Sequence, residues 1–147
     1  MQAFDPLAFV NLETTEVASR RPPIQVGDYT ATVGKPLASQ WVKEEKSGIR
    51  LTIPLRIEVP PDQKDTLRVD QIQLTDSVFI DATDNGSMDW SPGKNGGLRR
   101  YREALDMNKA GESFSVARME GRMLKVKVTH EIYNGEIQER PAGVAKL

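Results

Sequence analysis

Apolar residues recur at every second position in three stretches of the chain, and at helical spacing in one. In "GDYTATV", Tyr29, Ala31 and Val33 alternate with Thr30 and Thr32, the period of a half-buried strand. "SQWVKEEKSGIRLTIPLRIEV" reads as a second strand, a turn at Lys46–Ser47–Gly48, and a third strand. In that third strand Leu51, Ile53, Leu55, Ile57 and Val59 share one face, and Arg50, Thr52, Pro54, Arg56 and Glu58 the other. Pro54 lacks a ladder donor, so this strand is expected at an edge or at a bulge. "VPPDQKDT" reads as a loop, and "LRVDQIQLTDSVFIDA" as one long or two short strands with Val78 and Ile80 as core pair. Near the end, Leu124, Val126, Val128, His130 and Ile132 alternate with Lys125, Lys127, Thr129, Glu131 and Tyr133. Asn134–Gly135 then marks a hairpin turn, with "AGVAKL" as a last short strand.

The helical spacing lies in "LRRYREALDMN", where Leu98, Tyr101 and Leu105 form one apolar stripe and Arg99, Arg100 and Arg102 mostly face away. Residues 1–26 read as a peripheral N-terminal arm, with Phe4, Leu7 and Phe9 as anchors and Pro22–Pro23 leading into the first strand. These elements predict a single domain over 1–147, an arm at 1–26 followed by a β-barrel-like core at 27–147. The expected fold is mostly β: a small antiparallel barrel, oligonucleotide-binding (OB-fold) in type, with one packed α-helix near residues 97–108.

Composition narrows the chemistry. With 147 residues the chain is long enough for a core. It has no cysteine, which excludes disulfides, zinc–thiolate sites and cysteine nucleophiles. No apolar run is long enough to span a membrane and no signal peptide is recognisable, so the expected location is the cytoplasm. The net charge of -1 hides a polarised distribution. Residues 62–89 hold seven acids against two bases, and residues 90–127 hold nine bases against four acids. Such a surface can steer a charged ligand, or the two segments can fold together and cancel.

Candidate chemistry gathers in "DATDNGSMDWSPGKNGGLRRYREALD". Asp81, Thr83, Asn85, Gly86 and Asp89 match positions of a calcium loop, but its bidentate Glu is replaced by Pro92, and an Asp-Asn-Gly turn explains the same residues. "SPGKNGGL" lacks the spacing of a nucleotide-binding phosphate loop, although Lys94 and Arg99 flank a glycine-rich helix start. His130 is the only histidine and reads as a core residue, so neither a catalytic set nor a metal set is expected, and no cofactor. Trp90 in the loop and Trp41 in the second strand are candidate platforms for stacking a base, and core or rim packing would also explain either ring. Lys125, Lys127 and Tyr133 alternate on one strand face, which suits phosphate neutralisation and stacking as well as a solvated surface.

The strings "PPIQVGDYTATV", "GIRLTIPLRIEV" and "MEGRMLKVKVTHEIYNGE" carry a Gly-x-Tyr-x-Ala opening (Gly27, Tyr29, Ala31) and a late Gly-x-x-Leu-x-Val-x-Val strand (Gly121, Leu124, Val126, Val128). In these motifs the chain resembles small tailed-bacteriophage proteins of replication and recombination, among them single-stranded DNA-binding proteins with OB-type folds. It departs from them in ending "RPAGVAKL", without an acidic tail. The resemblance implies a non-catalytic single-stranded DNA-binding protein in the host cell cytoplasm. Its partners would be phage or host replication and recombination proteins, with a homo-oligomer compatible. Arg99, Arg100, Arg102, Lys94, Lys125 and Lys127 would then contact phosphates, and Trp41, Trp90 and Tyr133 would stack bases. Two other expectations stand beside it: a structural or interaction protein of a phage, such as a virion component or host-factor inhibitor, and a metal-dependent enzyme using the acidic loop.

Overall fold

The computed structural model describes residues 21–44, 46–82, 85, 88–89, 91–109, 111 and 114–147. Most of the expected arm, including Phe4, Leu7 and Phe9, lies outside these residues, as does Trp90. The elements are β1 (Gly27–Val33), β2 (Leu37–Lys43), β3 (Lys46–Glu58), α1 (Pro61–Leu67), β4 (Gln71–Ile80), α2 (Gly96–Ala104), a 3₁₀ turn (Val116–Met119), β5 (Met123–Tyr133) and β6 (Glu136–Ala145). All strand pairs are antiparallel.

The mostly β architecture follows from the alternation. Leu51, Ile53, Leu55 and Ile57 of β3, Ala31 and Val33 of β1, and Leu124, Val126 and Val128 of β5 line one continuous core. Adjacent strands share a face wherever their residues pair, so period-2 sequences bring their apolar sets together once the register is fixed. The sheet order is β2–β3–β1–β5–β6, with β4 on the other edge of β3. Residues 49–58 of β3 pair with β4 along its length. On its opposite edge β3 pairs first with β2 and then, from Leu55, with β1.

The sheet curves but does not close. β4 and β6 approach without pairing, and α2 packs against both. Leu98, Tyr101 and Ala104 of α2 are buried in that gap. The result is an open barrel whose seam is covered by a helix. The packed helix is shorter than the span 97–108 and is followed by the left-handed Asp106.

Four local expectations are corrected. Pro54 lies in a central strand, not at an edge or bulge. Its carbonyl accepts from Gly34 N–H at 2.8 Å, on the side where the chain crosses from β1 to β2. The absent N–H of Pro54 therefore falls in a break of the ladder. The β2–β3 turn precedes Lys46, with Glu44 left-handed at φ 57°. "PDQKDTL" is helix α1, with Pro61 at its start, where a missing N–H costs nothing, and with Gln63 and Leu67 buried one turn apart. The only histidine is not in the core. His130 has the inward parity, but β5 and β6 run on past the barrel as a projecting hairpin, and there His130 Nε2 donates to Ile24 O at 2.6 Å.

The segment before β1 is held by polar contacts to α1, β1 and β6. Gln63 accepts from Gln25 N–H at 2.9 Å and donates to the Tyr29 hydroxyl at 2.9 Å. The Tyr29 hydroxyl in turn donates to Gln25 O at 2.5 Å. Glu139 receives both guanidinium nitrogens of Arg21, at 2.7 and 2.9 Å, and Ile24 N–H at 2.7 Å, which ties this segment to the hairpin base. Among the described residues no helix is long and apolar enough to cross a membrane.

Candidate nucleic-acid interface

The outward face of β2, β3 and β4 is set by the same registers that build the core. Outward from β2 stand Leu37, Ser39 and Trp41. From β3 come Gly48, Arg50, Thr52, Pro54 and Arg56, and from β4 Gln73, Thr75, Ser77 and Phe79. None of these residues is acidic. Among the described residues, acids border this face: Glu44 in the β2–β3 turn, Glu58, which accepts from Gln71 at 2.6 Å, Glu120 in a pocket shared with Pro54 and Arg56, and Asp81 in a slot shared with Phe79. Arg50 and Arg56 are exposed.

Trp41 and Phe79 belong to strands on opposite sides of β3, yet their ring centroids are 6.0 Å apart in a T-shaped contact. Gly48 makes this reach available. Trp41 pairs with Gly48, and a Cβ added there would stand 2.7 Å from the indole Nε1. The indole thus lies across the one position of β3 that has no side chain. Its Nε1–H is buried and finds no hydrogen-bond partner among the described residues, consistent with a ring placed for its faces and not for its polar atom. Arg50 pairs with Phe79 across the strands, so a guanidinium, a phenyl and an indole share one patch. Phe79 is 60% exposed, far more than packing requires of a phenylalanine.

Beside Phe79 lies a slot of about 400 Å³ along the seam between β4 and β6. Ser77 and Phe79 form one lip, Gly96, Gly97 and Arg100 of α2 the floor edge, and residues 141–144 of β6 the opposite wall. The β5–β6 register slips by one residue between Lys127 and Val128, leaving Ala142 as an extra residue next to Pro141. Such a bulge bends an edge strand and tolerates a proline.

The sequence candidates fall into three groups. Arg100 is exposed beside the slot, and Lys127 pairs with Gly143 on the slot's far wall, with Lys125 two residues before it on the same outward face. Asp28 faces Lys127 from β1. Arg99 and Arg102 are engaged within the protein: Arg99 bonds Glu103 at 3.1 Å, and Arg102 lies 4.6 Å over the Phe114 ring. Lys94 is exposed in the turn before α2, and Tyr133 is exposed at the hairpin tip, away from Trp41 and Phe79. Arg50, Arg56 and Phe79 are not singled out by the sequence. The signal for the first two is present in the polar face of β3, and Phe79 lies between the core pair Val78 and Ile80, on the opposite parity.

The acids of the supposed calcium loop have structural partners. Asn95, 1% exposed and left-handed at φ 52°, sits between the two ends of the loop. Its amide donates to Asp81 O and Asp89 O, both at 2.7 Å, and accepts Asp81 N–H at 2.9 Å. Asp81 Oδ2 accepts Asn95 N–H at 2.9 Å. Asp89 Oδ1 accepts the hydroxyl and N–H of Ser91, and these bonds hold its carboxyl below the usual carboxylate range, with Lys94 adding a smaller pull. Thr83 and Gly86 lie outside the described residues. Tyr101 donates to Asp76 Oδ2 at 2.6 Å, and burial, then that bond, push its phenol far above its ordinary value.

Fold and surface together define an open antiparallel β-barrel with a cationic, aromatic outer face and a helix-covered seam. No protein-family model and no curated protein matches the chain.

Proposed function

We propose that this protein binds single-stranded DNA without catalysis, on the outward face of β2–β3–β4. The observation that carries this reading is the outward patch in which Arg50 and Arg56 accompany the Trp41–Phe79 pair. Unpaired bases need flat apolar rings, and the phosphates between them need cations. A strand face that offers both, with hydroxyls from Ser39, Thr52, Thr75 and Ser77 between them, suits a flexible polyanion better than a rigid duplex. The resemblance to phage replication and recombination proteins supports the same reading, with action in the cytoplasm of the host cell and the OB-type barrel as the structural frame.

The test is fluorescence anisotropy with labelled single-stranded and duplex oligonucleotides across a salt series. Single strands are expected to bind more tightly. Replacing Arg50 and Arg56 together by Ala should lower the salt slope by about 1.4, at about 0.7 for each phosphate no longer neutralised on a single strand. Phe79→Ala should weaken binding by about 1–3 kcal/mol at an unchanged slope, because stacking releases no counterions. Equal affinity for both DNA forms, or an unchanged slope in the double arginine variant, rules the proposal out.

A second reading rests on the projecting hairpin. Its cross-strand pair Ile132 and Ile137 is 75% and 53% exposed, beside exposed Tyr133. An apolar pair beyond the core suits a protein contact, as expected of a virion component or host-factor inhibitor. Loss of self-association or of partner binding in an Ile132→Ser, Ile137→Ser variant that still binds DNA normally would add this role to the first.

A further inference from the structure

We propose that the seam slot between β4 and β6 receives one base of the bound strand and favours a base with an exocyclic amino group, cytosine over thymine. The inference rests on the single-stranded DNA reading above and names what that surface selects.

Three features of the slot point there. It is continuous with the stacking patch, because Phe79 is both the partner of Trp41 and a lip of the slot. A strand stacked on those rings meets the slot next. The slot also has the dimensions and walls for a flat ring. Its volume is about 400 Å³, and Gly96 and Gly143 stand on opposite sides with no atom within 4 Å of an added Cβ. Backbone walls let a planar ring approach closely.

The polar groups in the slot are asymmetric. Asp76 has both carboxylate oxygens engaged, by Tyr101 and by Ser77 N–H. Asp81 has Oδ2 on Asn95 N–H, while no hydrogen bond of Oδ1 is found among the described residues. An open carboxylate oxygen repels a phosphate but accepts an amino N–H, and the amino group of cytosine is such a donor where thymine presents a carbonyl. Arg100, at the same slot, supplies the donor for a base carbonyl or for the adjoining phosphate. Beyond the slot, Gly143 pairs with Lys127, so the strand leaving it meets the cations of β5.

The experiment compares labelled oligo-dC and oligo-dT of equal length on the full chain. The wild type should bind oligo-dC at least about fivefold more tightly, the lower end of the discrimination one good base contact gives. Gly143→Val places a side chain in open space at one wall and Gly96→Leu at the other. Each should abolish the preference by lowering oligo-dC affinity more than oligo-dT affinity, and thermal melts of both report on folding. Because the two variants lie on different elements, the result does not hang on either one folding. Equal binding of oligo-dC and oligo-dT by the wild type, or a preference that survives both variants, overturns the slot assignment and leaves the stacking face standing. Failure of the wild type to bind either oligonucleotide overturns both readings.

Discussion

Asn95 shows how much one residue can carry. Its side chain joins Asp81 and Asp89, and its backbone is left-handed, a conformation that Asn and Gly tolerate and Ala does not. Asn95→Ala should lose about 3 kcal/mol, the sum of the lost hydrogen bonds of a buried amide and backbone strain, seen as a lower urea midpoint at an unchanged m-value. Ser91→Ala acts on the same loop from outside. Asp89 is held below its ordinary pKa, so its bond to Ser91 stabilises the fold above the usual carboxylate range and is lost as pH falls through the lowered value. The Ser91→Ala deficit should therefore be present at neutral pH and vanish in acid. Tyr101 has the opposite sign. The fold keeps its phenol protonated while the unfolded chain ionises near the ordinary value of about 10, so its contribution is intact below that pH and lost above it. Tyr101→Phe should cost about 1 kcal/mol at neutral pH and flatten the alkaline limb of the stability curve.

At the scale of elements, α2 and the β5–β6 hairpin respond differently to the same kind of change. Leu98 is fully buried where α2 covers the seam. Leu98→Ala should cost about 2–5 kcal/mol through reduced burial and a residual cavity. Ile132→Ala, in the hairpin beyond the core, should stay within about 0.5 kcal/mol of wild type. Urea titrations of the two variants are the measurement. Sequence periodicity assigns both leucine and isoleucine to the core, and it is right about their parity. What it lacks is the length of the barrel: β5 continues its alternation past the point where the barrel ends and only β6 remains beside it. Helix α1 escapes the sequence for another reason. Its two buried positions, Gln63 and Leu67, are too few for a periodic signal, and Pro60–Pro61 reads as a loop unless proline is taken as a helix start.

For the whole molecule, charge follows the fold more than the chain order. The acids of residues 62–89 are divided between α1, the loop closed by Asn95, and Asp76 under Tyr101. The bases of residues 90–127 divide as well. Arg99 is paired on its own helix, whereas Arg100 lines the seam slot and Lys127 pairs with Gly143 of its wall, with Lys125 on the same face of β5. A continuous path from Arg50 past Phe79 to Arg100 and Lys127 is thus assembled from four elements. Lys125 and Lys127 replaced together by Ala should weaken single-strand binding and reduce its salt slope with no change in melting temperature beyond about 2 °C, since both side chains are exposed.

The sequence alone determined that the chain is mostly β, and which faces of β1, β3 and β5 are core. A strict alternation of apolar and polar residues can bury one face only as a strand, and this is information held within a few neighbouring residues. It also located an isolated amphipathic helix and a cationic strand in β5. Only the tertiary structure decided that Pro54 is central and that Trp41 reaches Phe79 across Gly48. Only the tertiary structure left β4 and β6 unpaired with α2 between them. These features depend on registers between strands distant in sequence and on where the curved sheet stops closing. Such distances are fixed by the packing of the entire core, and no local pattern encodes them.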